Sequence, residues 1–258
     1  MSSKLPANLE WVEAEDVSLQ SYCQIDPFSW DRCYLWTEEA MGGDHHKFNF
    51  IRLLDQNITA LEFKKLIAEQ RDYFHSHSRS LHLKISDSVF PKKPSFLSKF
   101  ETMGTPLVSM LIKTSELPLP KLDEAISIIK CQTLEELEQF IQVNANSRSW
   151  PLDIGIYKNM RETFILHGDK EQYLLFFNGQ PACTTSIGYF NDKFNSNLAG
   201  THKTFQRRGL FNYMKLWLAH EINKDFYVQL NQDEESFNYY SKLPAASIVN
   251  TEYTYACD

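Results

Sequence analysis

The stretch Phe205-Gln206-Arg207-Arg208-Gly209-Leu210-Phe211-Asn212-Tyr213-Met214 sets a turn of two arginines and a glycine directly ahead of an amphipathic helix. Beyond Gly209 the apolar residues Leu210, Tyr213, Met214, Trp217, Leu218 and Ile222 recur at helical spacing, so one face can pack against a core. The first turn of such a helix carries backbone N–H groups without an intrahelical acceptor, and these point at whatever precedes the helix. Together with the positive end of the helix dipole they favour an anion by about 0.3–1 kcal/mol, and Arg207 and Arg208 can add charge-assisted hydrogen bonds. The turn is a candidate phosphate cradle.

The flanking sequence supplies a sheet around it. Residues 173–177 and 182–189 read as strands joined by Asn178-Gly179, a dipeptide suited to a type I′ hairpin turn. A third strand over 194–201 feeds the arginine turn. After the helix, 226–230 reads as a strand closed by Asn231, residues 233–242 carry helical spacing through Phe237 and Tyr240, and 247–256 reads as a last strand. Upstream, 125–130 reads as a strand and 133–143 as a helix opened by a capping box of Thr133 and Glu136. A second helix is expected over 150–166.

This order resembles the GNAT-type N-acetyltransferase superfamily over roughly the C-terminal half. The family's acyl-CoA loop, Q/R-x-x-G-x-G/A, stands here as Gln206, Arg207, Arg208, Gly209, Leu210 and Phe211, with Phe211 where the family has a small residue. A second family motif, an Asn closing a strand and then a helix with Tyr, is similar to Asn231 followed by Tyr240-Ser241-Lys242-Leu243-Pro244-Ala245; Pro244-Ala245 replaces the usual Gly-Phe. The resemblance implies an α+β fold with a mixed, mostly antiparallel sheet flanked by helices. It implies acetyl-CoA as acyl donor, with its diphosphate on the amides of residues 207–211 and its pantetheine along the strand at Gly200 and Thr201. An amine acceptor, small molecule or peptide, would attack the thioester directly in a ternary complex. The alternative is a catalytically inactive acyl-CoA-binding module, which Phe211 would suit by crowding the loop. A third reading, an aminoacyl-transferring relative fed by charged tRNA, is opposed by the acidic charge balance and the intact CoA-type loop.

Tyr240 is the implied general acid for the departing thiolate. With ordinary pKa values of about 10 for Tyr and 8.5 for a thiol, full proton transfer is uphill by about 2 kcal/mol, so assistance by hydrogen bonding is expected. The base is left open between Glu171 and Asp192, which flank the hairpin, and neither maps to a family position.

Leu117-Pro118-Leu119-Pro120 can continue neither a helix nor a central strand, and places a boundary between a first domain at 1–117 and a second at 121–258. In the first, 58–74 reads as a helix with Leu61, Leu66, Ile67 and Tyr73 on one side. Residues 80–85 read as a strand, 96–103 as a short helix ending at Gly104, and 107–113 as a strand. This succession is similar to the second half of the same fold, so two similar domains in tandem are expected, the first a degenerate copy. No glycine lies between Phe50 and Ile58, where its loop would be, so this half is expected to act as a structural partner or a wall of the acceptor cleft. The last strand of the second half lacks its usual neighbour, and the first half or a partner chain is expected to cover that edge.

The chain has 258 residues, 43% hydrophobic, and a net charge of −7, which suits a globular protein and argues against electrostatic nucleic-acid binding. It has no apolar run of membrane-spanning length and no signal-peptide pattern in residues 1–10, so a cytoplasmic location is expected. Five scattered cysteines, Cys23, Cys33, Cys131, Cys183 and Cys257, have no metal spacing and read as reduced thiols. No metal site is expected: Asp44-His45-His46 and the pair His75 and His77 lack an identifiable third ligand, and His202 reads as a loop residue.

Overall fold

The computed structural model describes residues 9–19, 23–27, 31–36, 49–147 and 170–257. The helix expected over 150–166 and the pair His45-His46 lie outside the described residues. Eleven strands form one sheet: β1 (Cys23–Pro27), β2 (Asp31–Trp36), β3 (Phe50–Leu53), β4 (His82–Ser86), β5 (Thr102–Ile112), β6 (Ile126–Lys130), β7 (Lys170–Phe177), β8 (Gln180–Phe190), β9 (Lys193–Thr201), β10 (Phe226–Asn231) and β11 (Ala246–Ala256). Among the described residues five helices accompany them: α1 (Glu10–Leu19), α2 (Ala60–Ser76), α3 (Leu134–Ser147), α4 (Leu210–Ile222) and α5 (Glu235–Tyr240).

The strand order is β1-β2-β3-β4-β11-β5-β10-β9-β8-β7-β6. The sheet is mixed and mostly antiparallel; only β3 with β4 and β9 with β10 run parallel. Each parallel pair is connected through a helix, α2 in the first half and α4 in the second. The two halves exchange their last strands. β11 lies against β4, β5 lies against β10, and the two exchanged strands pair with each other along residues 246–255 and 102–112. The edge of β10 is thus covered by the first half, and the sheet runs unbroken across the Pro118-Pro120 segment.

Side-chain alternation divides the core between the two faces. Phe226 and Val228 of β10 pack with Met110, Leu210, Met214 and Leu218 on the α4 side. Tyr227, between them, packs on the opposite face with Trp11, Phe63 and Tyr255. A third cluster seals α3 over the sheet through Leu137, Phe140, Ile141 and Leu174.

Two expectations are corrected. Residues 96–103 do not form a helix: a 3-10 turn at Ser95–Leu97 precedes β5, which starts at Thr102 and takes Gly104 in a left-handed conformation (φ +61°). Pairing of Thr102 and Met103 with β11 draws the end of this segment into the sheet. Leu61 does not share the buried face of α2; it is 78% exposed, and the helix buries Phe63, Leu66, Ile67, Gln70 and Phe74. A capping box of Thr59 and Glu62 starts that helix at Ala60, which puts Leu61 in the solvent-facing first turn. The second capping box forms as read: Glu136 accepts from the Thr133 amide at 2.9 Å, and Thr133 Oγ1 accepts from the Glu136 amide at 3.2 Å. The hairpin turn also forms as read, with Asn178 at φ +50° and Gly179 at φ +74°.

Candidate active site

The site is a cleft of about 890 Å³ between β9 and β10, floored by the start of α4. The two strands pair only at Phe194 with Phe226 and Asn195 with Tyr227, then part like the arms of a V. A β-bulge in β9 accompanies this divergence. Thr184 pairs with Gly200 and Ser186 with Asn197, so β9 holds one more residue than β8 in this interval, and Leu198 takes φ +48°. A bulge bends and twists its strand, which turns the rest of β9 away from β10. The side-chain amide of Asn144 on α3, a buried residue, donates to the Leu198 carbonyl at 2.6 Å and reaches Thr184 Oγ1 at 3.4 Å, fixing the bulge from behind.

The mouth is made by the arginine turn. Gln206 is extended, Arg207 lies at φ +62° and Gly209 at φ +74°, and the first helical bond runs from the Tyr213 amide to the Gly209 carbonyl at 3.0 Å. The amides of residues 209–212 therefore precede the helical hydrogen-bond ladder. Gln206 turns its side-chain amide back onto the Thr201 carbonyl at 3.2 Å. Arg208 lies 5.7 Å from the ring centres of both Phe177 and Phe205. Phe211 packs partly against the core, its ring centre 5.1 Å from the Lys215 ammonium.

Of the residues read from the sequence, Gly200, Thr201, Gln206, Arg207, Arg208, Gly209, Leu210, Phe211 and Tyr240 all line this cleft. Asn231 ends β10 outside its wall, and its side-chain amide holds Glu234 at the start of α5. Gly200 has a second reason to be glycine: a Cβ there would stand 2.8 Å from Ser147 Cβ, so the end of α3 can approach β9 only where no side chain intervenes.

Tyr240 is 2% exposed, and its hydroxyl has no hydrogen-bond partner among the described residues. Burial, with Tyr239 beside it, raises its pKa well above the ordinary tyrosine value, so it is a neutral hydroxyl free to donate. The carboxylates weighed as bases lie elsewhere. Burial alone would raise Glu171, but hydrogen bonds from Lys130, Tyr173 and Tyr189 outweigh it and hold the carboxylate below its usual range. Asp192 is 83% exposed in the next hairpin turn and pairs with Lys193 at 2.9 Å. Neither lines the cleft. Burial pushes the Cys183 thiol up to about 11, which keeps it protonated against Thr201 Oγ1 at 3.3 Å. His202 caps the 3-10 turn before Gln206, accepting from the Thr204 amide at 3.3 Å. His77 bonds the Tyr73 carbonyl of its own helix at 2.9 Å.

The sequence reading passed over Lys215. It is 5% exposed on the second turn of α4, lines the cleft, and donates to Thr185 Oγ1 at 3.2 Å. Thr185 Oγ1 in turn meets Ser196 Oγ at 2.8 Å, one residue beyond the last β9 residue paired with β10. The amine thus sits beside the closed end of the cleft.

No protein-family model and no curated protein matches this chain. Solved structures do. A GCN5-related N-acetyltransferase from Kribbella flavida is similar over 98% of this chain and 96% of its own, with a TM-score of 0.72 at 13% identity. A protein of unknown function from Staphylococcus epidermidis is similar over 91% and 93%, with a TM-score of 0.69 at 15% identity. A tandem GNAT protein from the clavulanic acid biosynthesis pathway is similar over 92% and 79%, with a TM-score of 0.61 at 12% identity. No helix among the described residues is long and apolar enough to cross a membrane. At these identities the likeness is one of architecture: this chain has the fold of the GNAT acetyltransferases.

Proposed function

We propose that the cleft binds an acyl-CoA and that the protein transfers the acyl group, acetyl or another short one, to an amine acceptor by direct attack in a ternary complex. The observation that carries this is the coincidence in one cleft of an anion-ready helix start, an arginine pair and a strand whose free edge faces the space. The donor's diphosphate would rest on the amides ahead of α4 with Arg207 and Arg208 beside it. Its pantetheine amides would bond the open edge of β9 at Gly200 and Thr201. Fixing the thioester in this way makes attack by the amine effectively unimolecular. A backbone amide of β9 near the bulge would polarise the thioester carbonyl, and the Tyr240 hydroxyl would donate a hydrogen bond to sulfur as the C–S bond breaks. The first half of the chain would form part of the acceptor wall.

Calorimetric titration with acetyl-CoA tests this reading. Saturable binding to the wild type is expected, weakened about tenfold or more in an Arg207→Ala, Arg208→Ala variant, since hydrogen bonds to charged groups contribute about 1.5–3 kcal/mol. A wild-type protein that binds neither acetyl-CoA nor CoA would overturn it.

A further inference from the structure

We propose that Lys215 makes this cleft selective for acyl groups that themselves carry a carboxylate, so that the donor is the thioester of a dicarboxylic acid rather than of acetic acid. The inference rests on the acyl-CoA reading above and adds the chemistry of the acyl group to it.

Three observations lead there. First, Lys215 is a buried amine whose contacts among the described residues are a hydroxyl, Thr185 Oγ1 at 3.2 Å, and the ring of Phe211 at 5.1 Å; no carboxylate balances it. It lines the cleft together with Leu210, Phe211, Val228 and Leu230. A charge removed from water with no counter-charge is among the costliest arrangements in a protein interior, and burial alone lowers its pKa from 10.5 to about 7. Ordinary packing would put an apolar residue at this point of the helix.

Second, the amine has a defined place along the cleft. It is linked through Thr185 to Ser196, next to the point where β9 and β10 close. A linear ligand held by its diphosphate at the mouth, near Gly209, runs its acyl end toward that closure. The cation therefore stands where the far end of an acyl chain arrives.

Third, a donor without a hydrogen-bond partner among the described residues, the Tyr240 hydroxyl, lines the same cleft. Buried polar groups in native proteins are nearly always satisfied, so an unmet hydroxyl in the same cavity as an ammonium without a counter-charge points to a ligand that meets both. A carboxylate takes a charge-assisted hydrogen bond from an ammonium and supplies the counter-charge that the protein lacks. An acetyl group offers no charge at that place.

The test compares CoA, acetyl-CoA and succinyl-CoA by calorimetry on wild-type protein and on Lys215→Met, with the melting temperature of the variant measured alongside. Wild type is expected to bind succinyl-CoA about tenfold or more tightly than acetyl-CoA, and Lys215→Met to lose that preference. Equal affinities in the wild type, or a preference that survives in Lys215→Met, would overturn the inference and leave the acyl-CoA reading standing. Failure of all three thioester and thiol ligands to bind would overturn both. The wild-type comparison decides the matter even if the variant does not fold.

Discussion

At the scale of single residues, the arginine turn could be read in the sequence and Lys215 could not, for a physical reason. The turn announces itself by residue types that demand special backbone or charge: Gly209 at φ +74°, and two neighbouring arginines. Lys215 sits in a run whose periodicity is set by Leu210, Met214 and Leu218, where a lysine ordinarily marks the solvent side, since lysines are almost never fully buried. The buried arc of α4 is wider than that seam and takes in Lys215 and Ala219. The cost of burying the amine predicts a pH-dependent stability. Its folded pKa lies near 7, below the ordinary 10.5, so between those values the unfolded chain binds the proton more readily and stability rises with pH. Below that folded pKa both states carry the proton and the full penalty of burying the charge applies. Lys215→Met should therefore raise the melting temperature most at pH 6–7, with a gain that shrinks toward pH 10. Thermal unfolding of both proteins across that range checks this; a gain of equal size at every pH would show that the amine is not penalised by its burial.

At the scale of elements, helices and hairpins with local signals formed where the sequence placed them, because capping boxes and Asn-Gly turns are written in adjacent residues. The bulge that opens the cleft is not local. Residues 194–201 read as one continuous strand, and the partner that holds the bulge, Asn144, lies 54 positions before Leu198 on a helix. The segment 96–103 shows the same limit from the other side, since its helical spacing yields to strand pairing with distant residues of β11. If Asn144 holds the bulge, replacing it with leucine leaves the part-buried Leu198 carbonyl without its donor. Asn144→Leu should lower stability by about 1–3 kcal/mol, the usual cost of an unmet buried polar group, and should weaken acetyl-CoA binding in the same variant. Denaturant unfolding and calorimetry measure the two effects. Asn146→Ala, which removes only an exposed bond to the Gln142 carbonyl, is the control and should change neither. Loss of stability with undiminished binding would mean that the cleft opens without the bulge.

At the scale of the whole molecule, the strand order has a symmetry that alternation patterns cannot reveal. Hydrophobic spacing tells which face of a strand is buried but not which strand lies beside it, so two halves with similar successions were legible while their reciprocal exchange of β5 and β11 was not. The exchange ties the halves together electrostatically as well. Glu252 on β11 receives Arg52 of β3 at 2.5 and 3.0 Å and Lys84 of β4 at 3.2 Å, all three buried, so the second half's last strand carries a carboxylate into the first half's core. Such an arrangement leaves the segment 121–258, taken alone, without the strand neighbours of β10 and β11 that the first half supplies. Without β4 and β5 it exposes the edge of β10, both edges of β11, and the side chains that pack on Val108, Met110 and Ile112. A fragment of residues 121–258 expressed alone should therefore be insoluble or self-associated, pairing its open strand edges between copies. Co-expression with residues 1–120 should restore a soluble complex of one copy each, measured by size-exclusion chromatography with light scattering. A monomeric 121–258 fragment with a cooperative unfolding transition would instead make the second half an independent domain, and the exchange of strands a late contact between two finished folds.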